Sequence, residues 1–174
     1  TGYDHILFIT GVLYFLYRLK DVAVYVSLFT LGHSITLLAG VLEGINANPY
    51  IVDAIIGCSI VYKAFDNMGG FGRMLSFRPN VKVAVAIFGL FHGLGLATKL
   101  QDFTLSSEGL IINMISFNIG VELGQVLVLT FLLLIFTYWR TKPYFIRHAY
   151  FANSALMFGG FLLIGYQMVG YFIG

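Results

Sequence analysis

Apolar residues dominate this chain in long runs, and polar positions divide them into six segments, roughly 4–19, 22–43, 50–66, 80–99, 109–138 and 146–173. None of the runs alternates with period two. A helix of about 20 residues crosses the ~30 Å hydrocarbon core of a bilayer. Backbone polar groups there must be satisfied internally, so runs of this length are helical. The pattern predicts an all-α fold, a polytopic transmembrane bundle of about six helices, with 1–174 as a single transmembrane helical domain. The first run is short, which leaves open a start, or one more helix, upstream of Thr1. The fifth is long enough to tilt or to protrude from the bilayer. The links between runs are brief and hold no soluble domain. No internal repeat stands out.

Composition agrees with this pattern. The chain has 174 residues, of which 59% are hydrophobic and 10% charged, with a mean hydropathy of +0.87. Soluble domains carry about 25% charged residues. The net charge of +2 is small and dispersed, so no nucleic-acid partner is expected. No GxxxxGK[ST] loop occurs, so no nucleotide is expected either. The lone Cys58 is expected to be a small packing residue. Residues upstream of Thr1 are expected to be missing from this stretch, and no secretory leader pattern is visible in it.

The basic residues set an orientation. Arg18 and Lys20 lie in the first link, Arg73, Arg78 and Lys82 around the third, and Arg140, Lys142 and Arg147 in the fifth. Lys63 lies near enough to the third link to snorkel there. Only Lys99 falls on the other side, with Glu43, Asp102 and Glu108. By the positive-inside rule the odd links are cytoplasmic and both termini face outward. A multi-pass protein of the bacterial inner membrane, with lipid as its surroundings, is the expected setting.

Against this apolar background a few polar side chains stand out. Asp4 and His5 open the first run, His33 lies near the middle of the second, and Asp53 lies near the outer end of the third. His92 lies in the outer half of the fourth, and Asn118, Glu122 and Gln125 share one face of the fifth. Ionisable groups in hydrocarbon are expensive and usually mark a substrate, ion or metal site. Imidazole with carboxylate, without clustered thiols, suits nickel, zinc, cobalt or iron. His5, His33, His92, Glu122, Asp4 and Asp53 are therefore the candidate metal ligands, all between the outer surface and the midplane. Ser34, Thr36, Asn118 and Gln125 are candidates for orienting them from a second layer. Gly89, Gly93, Gly120 and Gly124 have the small-xxx-small spacing that lets helices approach closely.

Other roles stay open for several of these residues. Asp4 suits an N-cap, Asp53 a first-turn acid complementing the helix dipole, and Glu122 an acid paired with a histidine. Asp66 and Asn67 read as the end of the third helix or as water ligands, and His148 as an interface residue.

The segments Gly2-Tyr3-Asp4-His5-Ile6-Leu7-Phe8, Phe29-Thr30-Leu31-Gly32-His33-Ser34-Ile35-Thr36-Leu37, Gly89-Leu90-Phe91-His92-Gly93-Leu94-Gly95-Leu96-Ala97 and Phe117-Asn118-Ile119-Gly120-Val121-Glu122-Leu123-Gly124-Gln125 together resemble the HupE/UreJ family. These are small bacterial membrane proteins, often encoded with hydrogenase or urease genes and proposed to be nickel permeases. The match runs over about residues 2 to 130 in the family's order. The Asp-His-Ile triplet is also similar to part of the signature of nickel/cobalt permeases.

The resemblance implicates His5, His33, His92 and Glu122, supported by Asp4, Asn118 and Gln125. The chain departs from the family at Asp53, where glutamate is expected, and at Leu96, where an aromatic is common. The family's further histidine before the Gly-x-Asp-His motif falls outside this stretch. The implied function is a permease for a divalent transition metal, nickel first, with zinc, cobalt and iron as alternatives. Asp66, Asn67 and Tyr62 offer an exit path. An intramembrane metal-dependent enzyme of zinc-hydrolase type is the competing reading, though the residues lean away from an enzyme. A structural metal-binding subunit, homo-oligomeric or part of a larger membrane complex, is the third.

Overall fold

The computed structural model describes the backbone of residues 2–75, 79–101 and 109–174, and the side chains of these except residues 2–6, 75, 110 and 111. Among the described residues six α-helices follow in order: α1 (Gly2–Leu13), α2 (Leu19–Leu42), α3 (Pro49–Asn67), α4 (Val81–Gln101), α5 (Leu110–Arg140) and α6 (Phe145–Ile173). One π-helical turn, Phe71–Leu75, joins α3 to α4. No strand occurs among the described residues. Residues 19–42, 81–101, 112–140 and 145–173 are long and apolar enough to cross a membrane. The 19-residue α3 carries Asp53, Lys63 and Asp66.

The helix limits reflect local chemistry. Asn48 caps α3, accepting from the backbone N–H of Tyr50 at 3.0 Å and of Ile51 at 3.3 Å, with Pro49 in the first turn, where its missing N–H costs nothing. Gly69, at φ +75°, turns the chain away after α3 in a conformation that glycine adopts without a Cβ penalty. The first helix stops at Leu13, earlier than the apolar run predicts. Residues 14–18 reverse the chain, and Arg18 is extended at φ −107°, ψ 133°. The Arg140 guanidinium donates to the carbonyls of Leu13 and Tyr14 where the helix ends, and the Leu13 carbonyl also accepts from the Leu16 N–H at 3.2 Å. The predicted first link is largely absorbed into α2, whose first turn holds Asp21. Cys58 is exposed and is not the small packing residue expected.

Two helix pairs form the frame. Helices α2 and α4 pack in parallel along glycines. Helices α3 and α6 pack antiparallel, and a Cβ on Gly57 would come within 3.2 Å of the Gly160 carbonyl, one on Gly160 within 3.1 Å of the Gly57 carbonyl. Small residues at both positions permit this approach. Helix α1 touches α3, α5 and α6, and α3 touches α4. Helix α5 is attached more loosely, and Leu127, Phe131 and Leu134 on it are exposed, as a lipid-facing surface would be.

Candidate metal-binding seam between α2 and α4

The seam between α2 and α4 is built from glycine. A Cβ on Gly32 would stand 2.5 Å from the Ala86 carbonyl oxygen and 3.0 Å from the Leu90 nitrogen. One on Gly89 would strike the Phe29 carbonyl, and one on Gly93 the His33 carbonyl. The Thr36 hydroxyl donates across the seam to the Leu90 carbonyl at 2.6 Å. The two backbones are therefore in direct contact.

This contact buries His33 and His92, at 2% and 1% exposure. Each lies nine residues before the last residue of its helix, Leu42 or Gln101, about 14 Å at 1.5 Å per residue. Because the helices run parallel, the histidines share one depth. The Phe29 ring lies beside both imidazoles, with centroids 6.2 Å from His33 and 5.0 Å from His92. Phe8 of α1 lies 5.6 Å from His92. His92 Nδ1 is 2.7 Å from the Phe88 carbonyl oxygen. A carbonyl only accepts, so in the neutral ring Nδ1 carries the proton and Nε2 the lone pair. A fixed tautomer of this kind is how metal-binding histidines are held.

The polar stripe of α5 faces α2. Ser34 Oγ donates to Asn118 Oδ1 at 3.4 Å, and Thr30 Oγ1 to Gln125 Oε1 at 3.3 Å. Glu122 lies between these two contacts in sequence and is exposed. Gly120 and Gly124 flank it with nothing within 4 Å of a Cβ built on either. Among the described residues, then, only Gly89 and Gly93 of the four glycines make close approaches between helices. Thr36, Ser34, Asn118 and Gln125 tie helices together: Thr36 binds the α4 backbone, and the others bridge α2 to α5.

Asp53 sits in a charged cluster of its own. Lys99 Nζ is 2.9 Å from both carboxylate oxygens, and Gln167 Nε2 is 3.3 Å from Oδ2. Asp53 Oδ1 also lies 3.7 Å from a Cβ built on Gly95, one turn beyond His92. Asp4 and His5 lie in α1 ahead of Phe8, but their side chains fall outside the described residues. Among the described residues no three His, Cys, Asp or Glu side chains come together as a metal-binding group.

Sequence reasoning missed four partners in these contacts. Thr30 has a signal, since it precedes Ser34 by one helical turn. Lys99 has one too, as the lone basic residue on the acidic side. Phe29 and Gln167 have none, because their roles depend on helix rotation.

A protein-family model described as HupE / UreJ protein matches residues 1–174, the whole chain. No curated protein and no solved structure matches.

Proposed function

The chain belongs to the HupE/UreJ family and is a membrane protein, and from that premise we propose that it is a permease for a divalent transition metal, nickel first. The observation that carries this reading is the pair of imidazoles at one depth in the α2–α4 seam. Burying two histidines in an apolar bundle is costly without a function for them. Neutral imidazole nitrogen binds nickel, and also zinc, cobalt and iron. His92, with its proton held on Nδ1, presents Nε2 to such an ion. His5 precedes Phe8 by one turn of α1, and the Phe8 ring lies against His92. His5 is therefore the favoured third donor. Asp4, Asp53 and Glu122 complete the candidate set, Asp53 only by giving up Lys99.

The metal is cargo in this reading, captured from the outer side of a bacterial inner membrane. The basic links lie on the cytoplasmic side, and both ends of the chain face outward.

The test is nickel uptake into sealed vesicles and metal content of the purified protein, for wild type, His33→Ala and His92→Ala, with monodispersity as the check on folding. Both variants are expected to lose uptake and bound metal while staying monodisperse. Uptake unchanged in both, or no binding of nickel, zinc, cobalt or iron by the wild type, would sink the proposal.

A further inference from the structure

A second polar feature lies at the opposite end of the bundle from Asp53, on the side of Arg18, Lys20, Arg73, Arg140 and Lys142. A cavity of about 340 Å³ opens there between the link that follows α1, the end of α3 and the π-helical turn. It is lined by Phe15, Lys63, Asp66, Asn67, Phe71 and Gly72. Liquid water occupies roughly 30 Å³ per molecule, so the space accommodates a hydrated ion. Lys63 is buried, at 7% exposure, and its Nζ lies 2.7 Å from Asp66 Oδ2. Its aliphatic stem runs past Gly11, where a Cβ would come within 3.4 Å. Asn67 Nδ2 donates to the Gly11 carbonyl at 2.6 Å and to Asn153 Oδ1 at 2.8 Å. These bonds tie α3, at the cavity wall, to α1 and α6.

Aromatic rings separate this cavity from the histidines. Phe71 packs on Tyr62 at 5.0 Å, Tyr62 on Phe88 at 5.2 Å, and Phe88 edge-on to Phe8 at 5.6 Å. The Tyr62 hydroxyl is buried and has no hydrogen-bond partner among the described residues, a polar atom within an otherwise apolar partition.

We propose that the cavity is an inner cation station: the Asp66 carboxylate takes a hydrated divalent cation, and the Lys63 ammonium is the charge that this cation displaces. A buried ammonium on a carboxylate marks a site that already holds one positive charge. Lys63 has a flexible stem and a compact charge, so it can leave the carboxylate without moving the backbone. An oxygen site holds nickel less tightly than imidazole does, as a release station should. The station's place on an export path from the histidines rests on the permease reading. Its existence does not.

The test reads the cavity without transport. Gly72→Cys is made in a Cys58→Ser background, in sealed vesicles of known orientation. A positively charged, membrane-impermeant methanethiosulfonate is added from either side, with and without nickel chloride. Labelling is expected to be at least ten-fold faster from the basic side, and nickel is expected to slow it at least three-fold. Asp66→Asn should remove that slowing, and Lys63→Met should deepen it. Phe15→Cys reports on the same cavity if Gly72→Cys does not fold.

Absence of labelling from the basic side would show that the cavity is closed to water and overturn the proposal. Nickel protection that is absent, or that survives Asp66→Asn, would overturn it as well. Protection with no nickel uptake by the wild type would leave the station standing and remove the permease reading instead.

Discussion

The carbonyl oxygen of His33 occupies the space that a Cβ on Gly93 would need. One residue of the seam thus presents its imidazole to the interior and its backbone to the neighbouring helix. The position of His33 relative to α4 is set by a missing side chain. His92 immediately precedes that glycine, so the same contact fixes the depth and rotation of both histidines.

Gly93→Ala should therefore be more damaging than its size suggests. The His33 carbonyl is backbone and cannot rotate aside, and the Thr36 hydroxyl beside it is engaged with the Leu90 carbonyl; overpacking of this kind costs about 1–3 kcal/mol. Gly120→Ala, where nothing lies within 4 Å of the new methyl, should be neutral or stabilising by up to about 1 kcal/mol through helix propensity. Thermal unfolding in detergent is the measurement. Equal midpoints for the two variants would mean that the seam is not tight.

The His92 tautomer is the next expectation. With the Phe88 carbonyl 2.7 Å from Nδ1, the neutral ring should carry its proton there. Nitrogen-15 NMR of histidine-labelled protein, metal-free and near neutral pH, should assign the proton to Nδ1. Added nickel should then shift Nε2. A proton found on Nε2 would remove the nitrogen on which the proposed capture site depends.

Much of this architecture was legible in the residues. Run lengths gave six helices to within a few residues for five of them, since a membrane span has a fixed length and a simple composition. Where α1 stops was not legible. The apolar run continues through Tyr14, Phe15 and Leu16, and the helix ends where Arg140, over a hundred residues away, takes its last carbonyls. The glycines illustrate a second limit. Gly89 and Gly93 share their spacing with Gly120 and Gly124, yet only the first pair meets another helix among the described residues. Spacing places small residues on one face, and helix rotation decides what that face meets. The same limit explains Asp53, whose partner Lys99 is 46 residues away and belongs to α4.

The Asp53–Lys99 pair links α3 to α4 and should show energetic coupling. Lys99 is about a third exposed (36%) while Asp53 is largely buried (15%), so solvent screens the pair in part. A double-mutant cycle with Asp53→Asn and Lys99→Met should give about 1 kcal/mol of coupling, near the upper end for exposed pairs. The double variant is expected to be more stable than the sum of the single losses predicts. Additive losses, unchanged between low and high salt, would mean that the contact contributes nothing.

Arg140 gives the sharpest stability prediction. Its guanidinium donates to the carbonyls of Leu13 and Tyr14 and lies over the rings of Tyr17, at 4.4 Å, and Phe136, at 5.6 Å. It therefore closes the short α1, joins it to α5, and holds the chain reversal before α2. Hydrogen bonds from a charged donor are worth about 1.5–3 kcal/mol, and a stacked cation adds about 0.5–1 kcal/mol. Arg140→Ala should lose most of this. Arg140→Lys should recover only part, because an ammonium lacks the flat guanidinium that lies over the Tyr17 ring while its Nη2 donates to both carbonyls. Unfolding midpoints in detergent should fall in the order wild type, Lys, Ala. Protease cleavage within residues 14–18 should accelerate in the same order, because release of the α1 carbonyls exposes that segment first. A lysine variant equal to wild type in both measurements would mean that the positive charge alone holds the corner, and not the geometry of the guanidinium.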